Sequence, residues 1–317
     1  MRNALPVVTV LAALLGVWFL AVAPMNVRLA LDQAERGGES VTPATPRARQ
    51  EVGVWRLMAD NPGFVGTGYA LDRPRLPTPG QVLGELYKTT IDEELNGRRG
   101  IVRSGSLSNR SLIYHGLITL QSTLFGFALG TALGLLGAIG IVYSRTLELS
   151  LMPWAIISQT VPIVALAPMI IVLSSQVGIE GRGVPKAIIS AYLCFFPVLV
   201  GMVKGLRAPG RDQLDLLRTY NASGATTFWK LRLPASLPYL FTSLKVGIAA
   251  ALVGTIVGEL PTGAISGLGA RILIGDQFGN PMAIWAALFA AAILAGLLVT
   301  GLGLIQNTLG RRMGVGR

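Results

Sequence analysis

The sequence predicts an all-α integral membrane protein with about six transmembrane helices and a long extracytoplasmic segment after the first. Three observations carry this. The 317 residues are 51% hydrophobic and 14% charged, with a mean hydropathy of +0.57, and a soluble chain of this size needs more polar surface. No Asp, Glu, Lys or Arg occurs in Ala4–Val27, Gly116–Ser144, Leu149–Ile179, Ala187–Val203, Val246–Gly258 or Gln277–Gly310. A bilayer-spanning helix takes about 20 mostly apolar residues. The shortest run reaches that length when Tyr239–Leu260 is counted, with Lys245 near one end. Thirdly, glycines recur inside the runs, as at Gly126, Gly130, Gly134, Gly137 and Gly140, where small residues let membrane helices approach closely.

The first span is expected at about 6–25. Its "AVA" at 21–23 mimics a signal-peptidase site, but Pro24 would follow the cut and the apolar run is long for a signal peptide. An uncleaved span, residues 1–25, is therefore expected. Residues 26–112 form the extracytoplasmic segment. Within it residues 34–50 read as flexible, and "PTPGQVLGELYKTTIDEEL" at 77–95 reads as a helix near 78–95. Thr78 is its expected cap, and Val82, Leu83, Leu86, Tyr87 and Ile91 its apolar stripe. This helix either lies on the outer membrane surface or packs on the rest of the protein.

The core, residues 113–310, carries spans at about 113–143, 149–174, 184–205, 238–260 and 282–307. Orientation follows from the cationic loops. Lys204, Arg207, Arg211, Arg218, Lys230, Arg232 and Lys245 cluster around one loop, and Arg311, Arg312 and Arg317 mark the tail at 311–317. Both are expected in the cytoplasm, and with six spans so is the N-terminus. The net charge of +11 is read as topology, not nucleic-acid binding. Cys194 and His115 are each the sole residue of their type. No internal disulfide, Ser/His triad or His-based metal cluster can be built from them, so neither a metal nor a catalytic residue is expected.

The loop at 206–238 holds "LLRTYNASGATTFWKLRLPASLPYL", Leu216 to Leu240. Leu214, Leu217 and Tyr220 recur at helical spacing, with Leu216 adjacent. Asn221 or Gly224 can take the left-handed backbone that turns a helix sharply. Phe228, Trp229 and Leu231 form a second short apolar face, which Pro234 and Pro238 are expected to end while starting the next span. The result is a helix–turn–helix element or a simple amphipathic linker.

Here the chain resembles the permease subunits of binding-protein-dependent ABC importers. Their cytoplasmic loop follows the pattern Glu-Ala-Ala, three residues, Gly, nine residues, Ile-x-Leu-Pro. Anchoring on Leu231-Arg232-Leu233-Pro234 sets Asp215-Leu216-Leu217 against Glu-Ala-Ala and Asn221 against Gly. The acid is kept as Asp, the small pair is not kept, and Gly becomes a residue tolerant of positive φ. "LPTPGQVLGEL", "TVPIVALAPMIIV", "CFFPVLVGMVKGL" and "LKVGIAAALVGTIVGELPTG" followed by "GLGARIL" occur in the family's order across residues 76–310. The likeness is to the nitrate/sulfonate/taurine type, and Leu244–Gly263 looks closest to the branch for pyrimidines, thiamine precursors or riboflavin.

The resemblance implies a type I ABC importer permease in the bacterial inner membrane. It implies pairing with a second permease copy or a paralogue, with two ABC ATPase subunits that bind the ATP and magnesium, and with an extracytoplasmic binding protein. This chain itself would bind no cofactor and catalyse nothing. Asp215, Leu217, Tyr220, Asn221, Phe228, Trp229, Leu233 and Pro234 would form the ATPase-coupling loop, with Asn221 as its elbow. Pro162, Pro168 and Pro197 interrupt spans and read as pathway residues or packed kinks. Glu259 reads as a gate or a helix cap near a span end. Gly267 and Gly269 read as a tight re-entrant turn before the last span.

The rival within transport is an ion-coupled secondary transporter, which would carry paired intramembrane charges and repeats. The sequence shows no repeat, and the span centres are uncharged. A membrane-bound enzyme would need clustered His, Asp or Glu, and the acids are dispersed. The sequence also lacks a P-loop.

Overall fold

The computed structural model describes residues 4–178, 181, 183–261 and 263–312, so the tail beyond Arg312, with Arg317, lies outside the described residues. The described chain is helical. Helix α1 spans Ala4–Arg36, α2 Pro79–Tyr87, α3 Leu112–Tyr143, α4 Arg145–Ser158 and α5 Ile163–Gln176. They are followed by α6 Gly183–Leu206, α7 Arg211–Thr219, α8 Leu233–Glu259, α9 Leu268–Gln277 and α10 Pro281–Arg312. Among the described residues five helical stretches are long and apolar enough to cross a membrane, and α4 with α5 supplies a sixth crossing only as a bent pair.

The span expected at 149–174 is this pair, broken where a proline interrupts it. The two helices meet at 105°. Pro162 precedes Ile163 with extended backbone (φ −62°, ψ 118°). A proline disfavours helical backbone in the residue before it and has no N–H to continue the ladder. Pro168 is different: it sits inside α5 without ending it.

The chain divides into two compact units, 1–112 with 271–289, and 113–270 with 290–317. In the first, α1 does not stop near residue 25. It runs through Pro24 to Arg36, and its last turns are amphipathic. Val27 and Leu31 are buried there with Val41 and Leu57, and Phe64 packs against them. Residues 34–50 are therefore folded, contrary to the flexible reading. Fixing them are two side chains that composition cannot reveal. Arg49, 1% exposed, pairs with Asp32 at 2.8 Å and with Glu35. Asn61 receives the Thr42 N–H at 2.9 Å and donates to the Thr42 and Leu57 carbonyls at 2.6 and 3.0 Å.

In the second unit α6 and α8 pack along their length. Ser190 Oγ donates to the Ala251 carbonyl at 2.9 Å, and Cys194, Val198, Leu199 and Met202 are fully buried. Helix α3 joins them closely: a Cβ at Gly130 would stand 2.6 Å from the Ala191 carbonyl oxygen. The glycines thus serve helix approach, as expected.

Candidate functional site

Two places in the second unit bring the sequence-marked residues together. The first is the loop between α6 and α8. Helix α7 starts after Gly210, whose N–H is taken by Gln213 Oε1 at 3.2 Å. It ends on Asn221, at φ +51° the sole non-glycine with positive φ among the described residues. The Asn221 N–H reaches the Arg218 carbonyl and the Ala222 N–H the Leu217 carbonyl, both at 2.9 Å. This is a Schellman end, normally closed by Gly, with Asn in the left-handed position. Ser223 then caps a short helix, Gly224–Thr227, by accepting the Thr226 N–H at 3.1 Å.

Pro234 stands in the first turn of α8, as expected of a residue that starts the span, but it does not end the short helix before it. A π turn, Phe228–Arg232, carries it into α8, and the Leu233 N–H reaches back to the Phe228 carbonyl. The proline explains the widening. It has no N–H for the carbonyl four residues back, and its ring crowds that carbonyl. Pro238 likewise lies within α8.

The expected anchor residues divide by face. Phe228 packs on the core, 6.3 Å from the Tyr143 ring, and Leu217 and Leu233 are half-buried. Tyr220 and Trp229 are 75% and 66% exposed. Leu216, read from sequence only as adjacent, is 57% exposed and lies one turn before Tyr220. Asp215 pairs with Arg218 at 2.9 Å on the same exposed helix. Arg232, which spacing did not mark, roots the loop. It donates to the Leu206 carbonyl at 3.1 Å, and its guanidinium stands 5.7 Å from the Tyr143 ring centre. Arg207 pairs with Glu148 at 2.9 Å, as does Arg145. The loop is thus tied into the membrane helices and carries exposed apolar groups outward.

The second place surrounds Glu259, the last residue of α8 and fully buried. Thr119 Oγ1 donates to its carboxylate at 3.0 Å and accepts the Leu268 N–H at 2.9 Å. The Gly269 N–H reaches Oε2 at 2.7 Å. Lys186, also buried, stands 3.5 Å from Oε1 and 3.4 Å from the Ser266 carbonyl. His115 Nδ1 accepts the Gly267 N–H at 3.0 Å. Gly267 has φ +127°, and a Cβ there would lie 2.2 Å from Glu259 Oε1, so only glycine fits. The Gly267–Gly269 turn leads into α9, not directly into the last span.

Paired charges are present, but at span ends and not in the span centres: Lys186 immediately precedes Ala187–Val203 and Glu259 follows Val246–Gly258. His115, Thr119 and Thr123 were missed as a group. Their four-residue spacing puts one polar stripe on α3, and Thr123 Oγ1 lies 3.0 Å from Thr255 Oγ1.

The prolines stand apart from this network. Pro162 forms the α4–α5 break and Pro168 lies within α5. Pro197 lines a groove of about 610 Å³ with Phe196, Val200, Pro238, Tyr239 and Thr242. A separate hollow of about 590 Å³ is lined by Ile118, Gln121, Ser122, Lys186 and Ser266.

A helical membrane protein with a buried polar network and an exposed, capped loop between spans fits the permease class. The family model for the inner-membrane component of binding-protein-dependent transport systems matches residues 130–315. The chain is 31% identical over 211 residues to a formylaminopyrimidine transport permease of Halalkalibacterium halodurans, covering 66% of this chain and 81% of that one. It is 30% identical over 237 residues to a riboflavin transport system permease of Chloroflexus aurantiacus, covering 74% and 80%. A probable ABC transporter permease of Haemophilus influenzae is 33% identical over 170 residues, 53% of this chain and 66% of that protein. The chain belongs to the family of inner-membrane components of binding-protein-dependent transport systems. It is a multi-pass ABC-type permease with the type I fold.

Proposed function

We propose that this chain is the membrane half of an ATP-driven importer. It passes a small solute from an extracytoplasmic binding protein to the cytoplasm across the bacterial inner membrane. In this reading two copies, or this chain and a paralogue, pair around the pathway. Two separate ATPase subunits hold the ATP and magnesium. Both termini and the loop at 206–238 face the cytoplasm. The solute is a pyrimidine-like molecule or vitamin precursor, as the names of two relatives suggest, or a small anion such as a sulfonate or nitrate.

The observation that carries the reading is the lever itself. Leu216, Tyr220 and Trp229 are exposed on an element that the Schellman end at Asn221 turns and the Arg232–Leu206 hydrogen bond ties to α6. Exposed aromatics are what a partner cleft uses as anchors. ATPase closure would push the lever and tilt the spans joined to it, α6 and α8. The Glu259–Lys186 pair would then tie α8 to the start of α6 and to the Gly267–Gly269 turn, as a latch on the far side.

Co-purification from membranes with the cognate ATPase tests this. Wild type retains the ATPase in mild detergent, and Tyr220→Ala with Trp229→Ala weakens retention by roughly tenfold or more. The second reading, an ion-coupled transporter, draws on the buried ion pair. Solute uptake in vesicles driven by an ion gradient without ATP would establish it and overturn the importer.

A further inference from the structure

We propose that the hollow lined by Arg98, Arg99 and Arg110 binds the phosphate of an anionic phospholipid. The lipid's acyl chains would cover the apolar row of the helix that precedes it. This site lies in the first unit and does not depend on the importer reading.

Helix α2 continues through a π turn, Lys88–Asp92, to Leu95. The expected stripe splits there. Val82 is buried and Leu86 half-buried, whereas Leu83, Tyr87, Ile91 and Leu95 are 64%, 58%, 47% and 48% exposed. Spaced by four, they lie along one side of the helix. The capping box of Thr78 and Gln81 holds its start: the Gln81 N–H reaches Thr78 Oγ1 at 3.2 Å and the Thr78 N–H reaches Gln81 Oε1 at 2.9 Å. A row of large apolar groups facing water is costly at about 25 cal/mol per Å², so the row needs a cover.

Beyond Leu95 the chain folds into a fixed clip. Buried Glu94 accepts the Ser108 and Ile101 N–H groups at 3.1 and 3.3 Å. Glu93 accepts from Ser108 Oγ at 2.8 Å. The clip encloses a hollow of about 510 Å³ lined by Arg98, Arg99, Arg110, Glu93, Ser108 and Asn109. Three arginines line it beside a single acidic residue, Glu93, whose carboxylate is already hydrogen-bonded. The planar guanidinium fork matches a phosphate.

Both ends of this segment are joined to apolar helices. Arg110 stands two residues before Leu112, where the α3 span begins. At the other end the Pro77 carbonyl accepts from Trp18 Nε1 at 3.0 Å. Trp18 stacks on Trp285 and Phe289, with ring centres 5.6 and 5.5 Å apart. Tryptophans gather where headgroups meet acyl chains. In this proposal the apolar row meets the acyl chains and the arginines meet the headgroup phosphate. A soluble acidic partner would account for the arginines but not for the row.

Native mass spectrometry of the full-length chain in detergent, titrated with phosphatidylglycerol and phosphatidylcholine at equal concentrations, tests the proposal. Wild type is expected to retain phosphatidylglycerol preferentially. Each Arg→Gln change at 98, 99 and 110 is expected to lower that retention by on the order of fivefold, with phosphatidylcholine retention unchanged. Equal retention of the two lipids by wild type overturns it, whatever the variants do. Displacement of phosphatidylglycerol by glycerol phosphate at equal concentration marks a free-anion site and also overturns it. A triple variant that keeps its lipid but no longer captures an extracytoplasmic binding protein assigns the hollow to that protein instead.

Discussion

Glu259 and Lys186 illustrate what a single residue decides. The carboxylate is surrounded by donors from three elements: Thr119 of α3, Lys186 of α6 and the Gly269 N–H of α9. A buried pair contributes little net stability over an apolar substitute, but removing one partner strands the other. Glu259→Ala should thus lower stability by about 3–5 kcal/mol, whereas Glu259→Gln with Lys186→Met should cost clearly less. Thermal unfolding of the detergent-solubilised chain measures both. Gly267→Ala should resemble Glu259→Ala, because the new methyl displaces the carboxylate. If the double variant is as unstable as the single one, the pair is not coupled as described. The sequence marked Glu259, Gly267 and Gly269 but gave no sign of Lys186 or Thr119 as their partners. Contacts across 73 and 140 residues leave no local pattern.

At the scale of the element, the loop between α6 and α8 was largely legible. The register set by Leu233-Pro234 put the elbow at Asn221, and Asn221 is where the backbone turns left-handed. What spacing could not supply was the facing. Leu216, Leu217, Tyr220, Phe228 and Trp229 are all apolar and close in sequence, and packing against Tyr143 and the α6 end sorts them into inner and outer groups. The π turn before Pro234 was also hidden, since a missing N–H can end a helix or merely widen it. Asn221→Gly should be tolerated, because Gly takes the left-handed region without strain. Asn221→Pro should disrupt the lever, since proline fixes φ near −65° and lacks the N–H that reaches Arg218. Solute-stimulated ATP hydrolysis by the assembled transporter should fall for Asn221→Pro and for Asp215→Arg while membrane insertion stays normal. Full activity in both would remove the lever role.

For the whole molecule, the first unit shows that length and polarity alone misjudge a segment. Residues 34–50 look like a linker, yet α1 extends past its apolar stretch to give them a surface on which Val41 and Leu57 bury. Leu57→Ala should cost about 2–5 kcal/mol within that small core. Limited proteolysis should then cut residues 38–75 faster while α3, α6 and α8 stay protected. Uniform cleavage of both units would contradict their separate cores. The sequence by itself determined the class. Charge-free runs of bilayer length, glycines within them and the order of the family's segments depend only on local composition, and lipid accepts few alternatives to a helix. The tertiary structure alone decided where those helices break, which charges meet and which faces stay open. Those outcomes depend on partners distant in the chain, as the bend at Pro162 and the Lys186–Glu259 pair show.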